Sequence, residues 1–292
     1  MDEVNKGTNK KQQLKLITLT SDFEKQSRGV GSMEAVAYEI CPDAKVIHLA
    51  HGIPDFGITE GANILETIKR SFTGGVGNYH VCVVDPGVGT PRKAIIIKTK
   101  RGDHFIGPDN GVLIPAARLL GIEKVVQITN QKYMRQPVSP IFHGRDVFTP
   151  AAAHLASGVA IESFGPEIAI KDLTPPPYED AKVLMKGKDG KESIIEAQVI
   201  HISKFGSLGV NIVASDFDQF PLKLKEKCNV IFKGVKSQTV PMMFATTFGE
   251  VPQGNPLIMK DDYGRLEIAV NCGSFAEKYG VKMKDKITIT KV

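Results

Sequence analysis

Apolar residues in the first half of the chain fall into short runs with two different spacings. "LKLITLTSDF" (Leu14 to Phe23), "AKVIHLA" (Ala44 to Ala50) and "YHVCVVD" (Tyr79 to Asp85) are β-like runs that end in polar turns. "RKAIIIKTK" and "HFIGPDNG" have the same texture. Between them, "GSMEAVAYEICP", stopped by Pro42, and "ITEGANILETIKRSF" place apolar residues at helical spacing. "VLIPAARLLG" reads as a further helix, and "TPAAAHLASG" predicts one capped by Thr149, with Pro150 at its first helical position and Gly158 at its end. Strands alternating with helices predict an α/β domain built on a mostly parallel, helix-covered sheet. The texture changes at "DLTPPPYEDAK", where three successive prolines forbid a helix interior and predict a stiff linker. Beyond it "ESIIEAQVIHIS", "SLGVNIV", "CNVIFKGV", "NPLIMKDDYGRLEIAVN" and "DKITITKV" follow one another with glycine and Asp/Asn turns between them. That succession predicts a smaller antiparallel barrel or sandwich. Residues 1–175 are therefore expected to form the α/β domain and residues 176–292 the second domain.

Composition narrows the class. The 292 residues are 42% hydrophobic and 24% charged, as in an ordinary soluble protein. No apolar run approaches membrane-spanning length, and the polar start "MDEVNKGTNKKQQ" reads as a flexible terminus rather than a signal peptide. Cys41, Cys82, Cys228 and Cys272 lie far apart with no CxxC pair, which predicts free thiols and a reducing cytoplasm. The net charge of +5 comes from scattered lysines, and the densest cluster, Leu222 to Lys236, alternates with apolar residues as an exposed strand does. With tryptophan absent and aromatics at 7%, neither nucleic acid nor membrane is an expected partner.

Candidate chemistry begins at "VCVVDPGVGT", where a buried strand ends by presenting Asp85 on a turn loosened by two glycines. The carboxyl ends of such strands are where open α/β sheets bind ligands. A dinucleotide fingerprint fails, because Arg92 stands where its third glycine belongs and a β-like run follows. No GxSxG elbow and no Walker lysine occur. His48 and His51 lie on a strand and its exit, so they are expected to face different directions. His80, His104, His154 and His201 stand singly, and no metal site is expected. What remains is Asp85, Arg92 and His143, each in a loop flanked by glycine or proline. Individually each has a structural explanation, and Arg145 with Asp146 in "HGRD" reads as a salt bridge that orders its loop.

Taken together, "TSDF…GVGSM", "HLAHGIP…EGA", "VVDPGVGTPR", "FIGPDNGVL" and "FHGRDVFTPAAAHLASG" closely resemble the S-adenosyl-L-methionine hydroxide adenosyltransferase family, relatives of the fluorinase and chlorinase. The likeness continues more thinly through "KFGSLGVNI" and "GRLEIAVN". It implies an α/β N-terminal domain, a C-terminal β-barrel, and a homotrimer with active sites at subunit interfaces. It implies no cofactor and one small-molecule partner, S-adenosyl-L-methionine, whose ribose 5′ carbon is attacked by water to give adenosine and methionine. The family's Asp-Arg-His set falls on Asp85, Arg92 and His143, and Gly144 stands where the fluorinase has serine, so hydrolysis is implied over halogenation.

The resemblance also implies substrate contacts. Asp22 matches the acid on the ribose hydroxyls, Phe56 an aromatic near the ribose, and Phe205 and Phe244 the rings that stack adenine. Ser207, Asp262 and Tyr263 fall in the adenine and amino-acid-tail region. The chain departs from the family there: Ser27, Gly29, Ser203, Ser207 and Asp262 replace expected residues, and Asp262 is expected to supply the carboxylate that Ser203 lacks. A drifted tail pocket leaves two other readings, a non-catalytic binder of S-adenosylmethionine or adenosine and a hydrolase of another 5′-substituted adenosine.

Overall fold

The structure, a computed structural model, describes residues 14–72, 78–184, 193–233 and 237–292; the polar terminus read as flexible lies outside them. Two compact units emerge, one of residues 14–57 and 72–175, the other of 58–71 and 176–292.

The first unit is built on six strands: β1 (Leu16–Ser21), β2 (Lys45–Ala50), β3 (Tyr79–Val83), β4 (Ala94–Thr99), β5 (His104–Pro108) and β6 (Ile122–Gln127). Their order is β2-β1-β3-β5-β4-β6. Pairs β1–β2, β1–β3 and β3–β5 are parallel, while β4 runs antiparallel to β5 and β6. The exception follows from chain length: a tight turn, Lys100 to Asp103 with Gly102 at φ 96°, joins β4 to β5, and so short a link permits only an antiparallel pair. Helices Arg28–Ile40 and Thr149–Ala156 set Met33, Ala37, Ala151, Ala152 and Leu155 in one core with Ile17, Leu19, Val81, Val83, Ile96 and Ile106 of the strands. Each large aliphatic side chain so buried contributes about 1.5–3 kcal/mol. His80 is a buried structural histidine, its ring between Thr18 Oγ1 at 2.9 Å and Asp103 Oδ1 at 3.2 Å, and burial lowers its pKa against the opposing pull of Asp103.

Thr149 is not the cap its sequence context predicts. The helix continues from a π-helical turn, Gly144–Phe148, and the buried Thr149 hydroxyl has no protein partner. Strand β6 was not anticipated either, because "IEKVVQ" lacks a clean alternation.

The second unit holds β7 (Lys182–Leu184), β8 (Ile194–Ile202), β9 (Leu208–Val213), β10 (Lys227–Lys233), β11 (Gln238–Phe244), β12 (Pro256–Lys260), β13 (Arg265–Val270) and β14 (Lys286–Lys291). The order β14-β10-β11-β12-β13-β9-β8 closes through β14–β8 into a seven-stranded barrel, with β7 added on β8. Every pair is antiparallel except β11–β12. Strand β11 escaped the sequence reading because Pro241 interrupts it. Val210, Val230, Phe244, Ile258, Ile268, Phe275 and Ile289 fill the interior.

Ile58–Ser71, read from sequence as a helix of the α/β domain, belongs to this second unit. Glu66 is the reason. Its buried carboxylate takes a fork from Arg265, Nε and Nη2 each at 2.5 Å, and Arg265 also reaches Asp180 at 3.0 Å.

Candidate active site

Strand β3 delivers Asp85 two residues beyond its end. The turn after it closes by Val88 N–H to the Asp85 carbonyl at 3.2 Å and Thr90 N–H to the Gly87 carbonyl at 3.1 Å. Two glycines are needed for different reasons. A Cβ at Gly87 would stand 3.2 Å from Cγ of Arg92, over the Asp85–Arg92 pair. Gly89 has φ 77°, and a Cβ there would lie 2.7 Å from the Pro140 carbonyl, where the His143 loop passes.

Arg92 then folds back on Asp85. Its Nε donates to Oδ1 at 3.0 Å and Oδ2 at 3.1 Å, and its Nη2 donates to Oδ2 at 2.5 Å. The same Nη2 donates to His143 Nδ1 at 2.7 Å. A guanidinium has donors only, so Nδ1 is the unprotonated ring nitrogen and the proton sits on Nε2. Burial, and then the Arg92 charge, hold the His143 pKa below its ordinary value. The Arg92 guanidinium lies 5.2 Å over the Phe148 ring, and the Arg92 and Asp85 side chains are only 10% and 5% exposed. This pair is held in place on three sides.

His143 sits where its loop enters the π-helical turn. The buried Asp146 organises that loop: it accepts from Arg145 Nε at 2.7 Å and Nη2 at 2.9 Å, and from Ser139 N–H at 2.9 Å. Gly144 permits close packing, since a Cβ would meet Met33 Sδ at 2.9 Å and Val83 Cγ1 at 3.0 Å.

Asp22, Phe56, Asp85 and His143 line one cavity of about 140 Å³, with Phe23, Val83, Val88, Ile141, Phe142 and Gly144. Asp22 accepts the Phe56 N–H at 3.3 Å. Burial raises the Asp22 pKa, and the neighbouring Asp55 and Asp85 charges add to it. Phe56 is 69% exposed and adopts φ 62°, a left-handed conformation that costs a bulky residue about 1–3 kcal/mol.

The remaining predicted contacts lie on the barrel. Phe205, 71% exposed, occupies the β8–β9 turn with Lys204 Nζ 4.9 Å from its ring centre. Ser207 is buried in that turn, its N–H donating to Ser203 Oγ at 3.2 Å. Phe244 packs edge to face on Phe217 at 5.0 Å within the barrel core. Asp262 and Tyr263 are exposed on the β12–β13 turn. Register pairs Leu208 with Ile268 and Val213 with Arg265, so the turns bearing Ser203 and Asp262 flank opposite ends of the β9–β13 pair. Between them stands Glu267, an acid the sequence reading passed over; burial raises its pKa while a hydrogen bond with Ser207 lowers it. Ser27 caps helix Arg28–Ile40 through its hydroxyl, and a Cβ at Gly29 would touch the Phe23 ring, so both departures have structural work there.

The expectation for His48 and His51 is corrected. A register shift between Leu19 and Thr20 in the β1–β2 pair lets the chain turn, and the two rings meet, Nδ1 of His48 lying 2.8 Å from Nε2 of His51. Among the described residues no group of three or more His, Cys, Asp or Glu is placed to hold a metal ion. All four cysteines are free. No described helix is long and apolar enough to cross a membrane.

Residues 17–165 match the SAM hydroxide adenosyltransferase N-terminal domain and residues 197–288 its C-terminal domain. An (R)-S-adenosyl-L-methionine hydrolase of Salinispora tropica is 32% identical over 94% of this chain and 97% of its own length. A fluorinase of an Actinoplanes species is 21% identical over 94% of this chain and 97% of its own. The crystal structure of an uncharacterized conserved protein from Thermotoga maritima superimposes with a TM-score of 0.83 at 30% identity, over 94% of this chain and all of that one. Two matched domains in the same order, carried by relatives of nearly the same length, settle the kinship: the chain belongs to the SAM hydroxide adenosyltransferase family.

Proposed function

We propose that the protein hydrolyses S-adenosyl-L-methionine to adenosine and L-methionine by attack of water on the ribose 5′ carbon. The observation that carries this reading is the Arg92 guanidinium, which binds the Asp85 carboxylate and His143 Nδ1 at once beside the cavity that Asp22 and Phe56 line. An oxygen–carbon bond forms, the carbon–sulfur bond breaks with its electron pair going to sulfur, and one proton is released. The departing thioether is neutral, so the difficulty lies with the nucleophile, since bulk water has a pKa near ~15.7.

The hydrogen-bond directions support one division of roles. His143 has Nδ1 occupied by Arg92 and a proton on Nε2, so it serves as a donor that orients the water oxygen. A carboxylate has about four acceptor directions, and the Arg92 fork does not use them all, so Asp85 takes the proton. The fixed charge of Arg92 favours the hydroxide form of the water. Asp22 receives the ribose hydroxyls and Phe56 covers the sugar. Holding water, carbon and sulfur in line supplies much of the remaining acceleration.

A cavity of about 140 Å³ is smaller than the roughly 300 Å³ at which ligand pockets begin. We assign it the ribose and sulfonium. Phe205, Ser207, Phe244, Asp262 and Tyr263 are proposed to meet the adenine and the amino-acid tail in a homotrimer, as the family resemblance implies. A cytoplasmic setting belongs to the same proposal and rests on the four free thiols.

The test is incubation of the purified protein with S-adenosylmethionine, with and without chloride, followed by chromatography. Adenosine and methionine in equal amounts, and no 5′-chlorinated nucleoside, are expected. Binding without turnover would leave a sensor, and a chlorinated product would make the protein a halogenase.

A further inference from the structure

A hydrogen-bonded chain outside the catalytic trio ends at the turn that bears Asp22. Glu34 Oε2 lies 3.3 Å from His48 Nε2, His48 Nδ1 lies 2.8 Å from His51 Nε2, and His51 Nδ1 lies 2.7 Å from Ser21 Oγ. Ser21 Oγ in turn accepts the N–H of Phe23 at 3.3 Å. With both rings in their neutral form, the Glu34 carboxylate, which only accepts, sets the direction of the bonds that follow along the chain. His48 donates from Nε2, so its Nδ1 accepts from His51 Nε2–H, which leaves His51 Nδ1 to accept the Ser21 hydroxyl proton.

Ser21 is the buried last residue of β1, and its bond to Phe23 N–H shapes the turn that holds Asp22. His51 opens the loop that ends at Phe56. Two further bonds tie the same loop to the same turn: Gly52 N–H to the Phe23 carbonyl at 2.8 Å, and Phe56 N–H to Asp22 Oδ2 at 3.3 Å. A phenylalanine at φ 62° persists only where its surroundings over-determine it. Among the described residues the His51 ring is the one side-chain strap between the turn and the start of the loop.

We infer that His51 is a positioning residue for the substrate ribose, acting through Ser21 to hold Asp22 and Phe56 in their relative setting. The inference rests on the reading of Asp22 and Phe56 as ribose contacts. Its test uses the two amide isosteres of histidine. In asparagine, Oδ1 stands where Nδ1 stood and still accepts from Ser21; in glutamine the amide lies near Nε2 and reaches only His48.

His51→Ala and His51→Gln are each expected to raise KM for S-adenosylmethionine about five- to tenfold, the worth of one hydrogen bond, with kcat within about threefold. His51→Asn is expected to stay within about twofold of the parent. Ser21→Ala, which also removes the Phe23 N–H bond, should be at least as impaired as His51→Ala, and the double variant should be no worse than Ser21→Ala alone, because the His51–Ser21 bond is already gone. An Asn variant as impaired as the Ala variant, an unaffected Ala variant, or additive losses in the double variant would overturn the inference. Asp22→Ala separates the two levels. If it leaves KM unchanged, the ribose reading falls and takes this inference with it; if it raises KM while His51→Ala is silent, only this inference falls.

Discussion

Arg92→Lys preserves the charge at the centre of the site and removes its geometry. The native guanidinium makes three close contacts with Asp85 and a fourth with His143 Nδ1 at 2.7 Å. An ammonium presents one compact donor on a flexible stem and cannot span both partners in a planar fork. With Asp85 retained as the lysine's partner, the variant loses the His143 bond and the second arm of the fork. Hydrogen bonds to charged groups contribute about 1.5–3 kcal/mol each, and partial recovery through water brings the net loss to about 2–4 kcal/mol. At 1.36 kcal/mol per decade, that is a fall of roughly 30- to 1000-fold in kcat. KM should stay within about threefold, because Asp22 and Phe56 are untouched. The folded state should suffer little, since the nearly buried Asp85 keeps a cation beside it. Arg92→Met, by contrast, strands that carboxylate at a cost of about 3–5 kcal/mol. Initial rates of adenosine release, with thermal unfolding of each variant alongside, measure both effects. A lysine variant with kcat within threefold of the parent, or one whose whole loss lies in KM, would show that charge alone suffices.

The pH profile follows from His143, whose pKa burial and then Arg92 hold below the ordinary 6.5. The neutral ring is the form that accepts from Arg92, so kcat should be level through neutrality and fall as pH drops below that lowered value. His143→Asn, whose Oδ1 still accepts from Arg92 without titrating, should turn over more slowly and lack this acid limb; a limb that persists unchanged would assign it to another group, such as Asp22 with its raised pKa. In the second unit, Glu66→Gln leaves the buried Arg265 charge without its full partner and should cost about 3–5 kcal/mol by denaturant titration. Replacing the pair together, Glu66→Leu with Arg265→Met, should cost less than Glu66→Gln alone, and equal or greater loss would refute the account of a desolvated ion pair.

The loops bearing Asp85, Arg92 and His143 were legible as a set through the family resemblance, because each residue alone has a structural explanation and spacing does not bring them together; in the structure the three side chains do meet. What stayed hidden depends on partners far along the chain. Helical spacing in "ITEGANILETIKRSF" shows an apolar face but not which core that face meets, and the deciding contact, Glu66 with Arg265, spans 199 positions. The histidines at 48 and 51 were judged by strand alternation, which holds only until the register shift beside them. Strand β11 was lost to Pro241, a residue that weakens a strand locally and stands here before the short stretch, Met243 and Phe244, in which β11 pairs with β12. Local rules identified elements; the exceptions were set by tertiary pairing.

One such pairing explains why two carboxylates share the cavity at all. Strands β1 and β3 are adjacent and parallel, with Ser21 opposite Val83 at their carboxyl ends. Asp22 follows the first of these residues directly and Asp85 follows the second by two, so the register alone brings both acids to one edge of the sheet. Burial raises the Asp22 pKa, and the nearby charges of Asp55 and Asp85 raise it further. Arg92 satisfies only Asp85. Among the described residues Asp22 has no salt-bridge partner and takes its hydrogen bonds from backbone N–H groups, that of Phe56 among them, and the cavity it faces is the one proposed for a sulfonium-bearing sugar. An apolar or neutral ligand would leave that charge uncompensated, whereas a cationic one completes it. The β1–β3 register therefore sets where these two acids emerge, and the turns that follow the strands present them to the ligand proposed above.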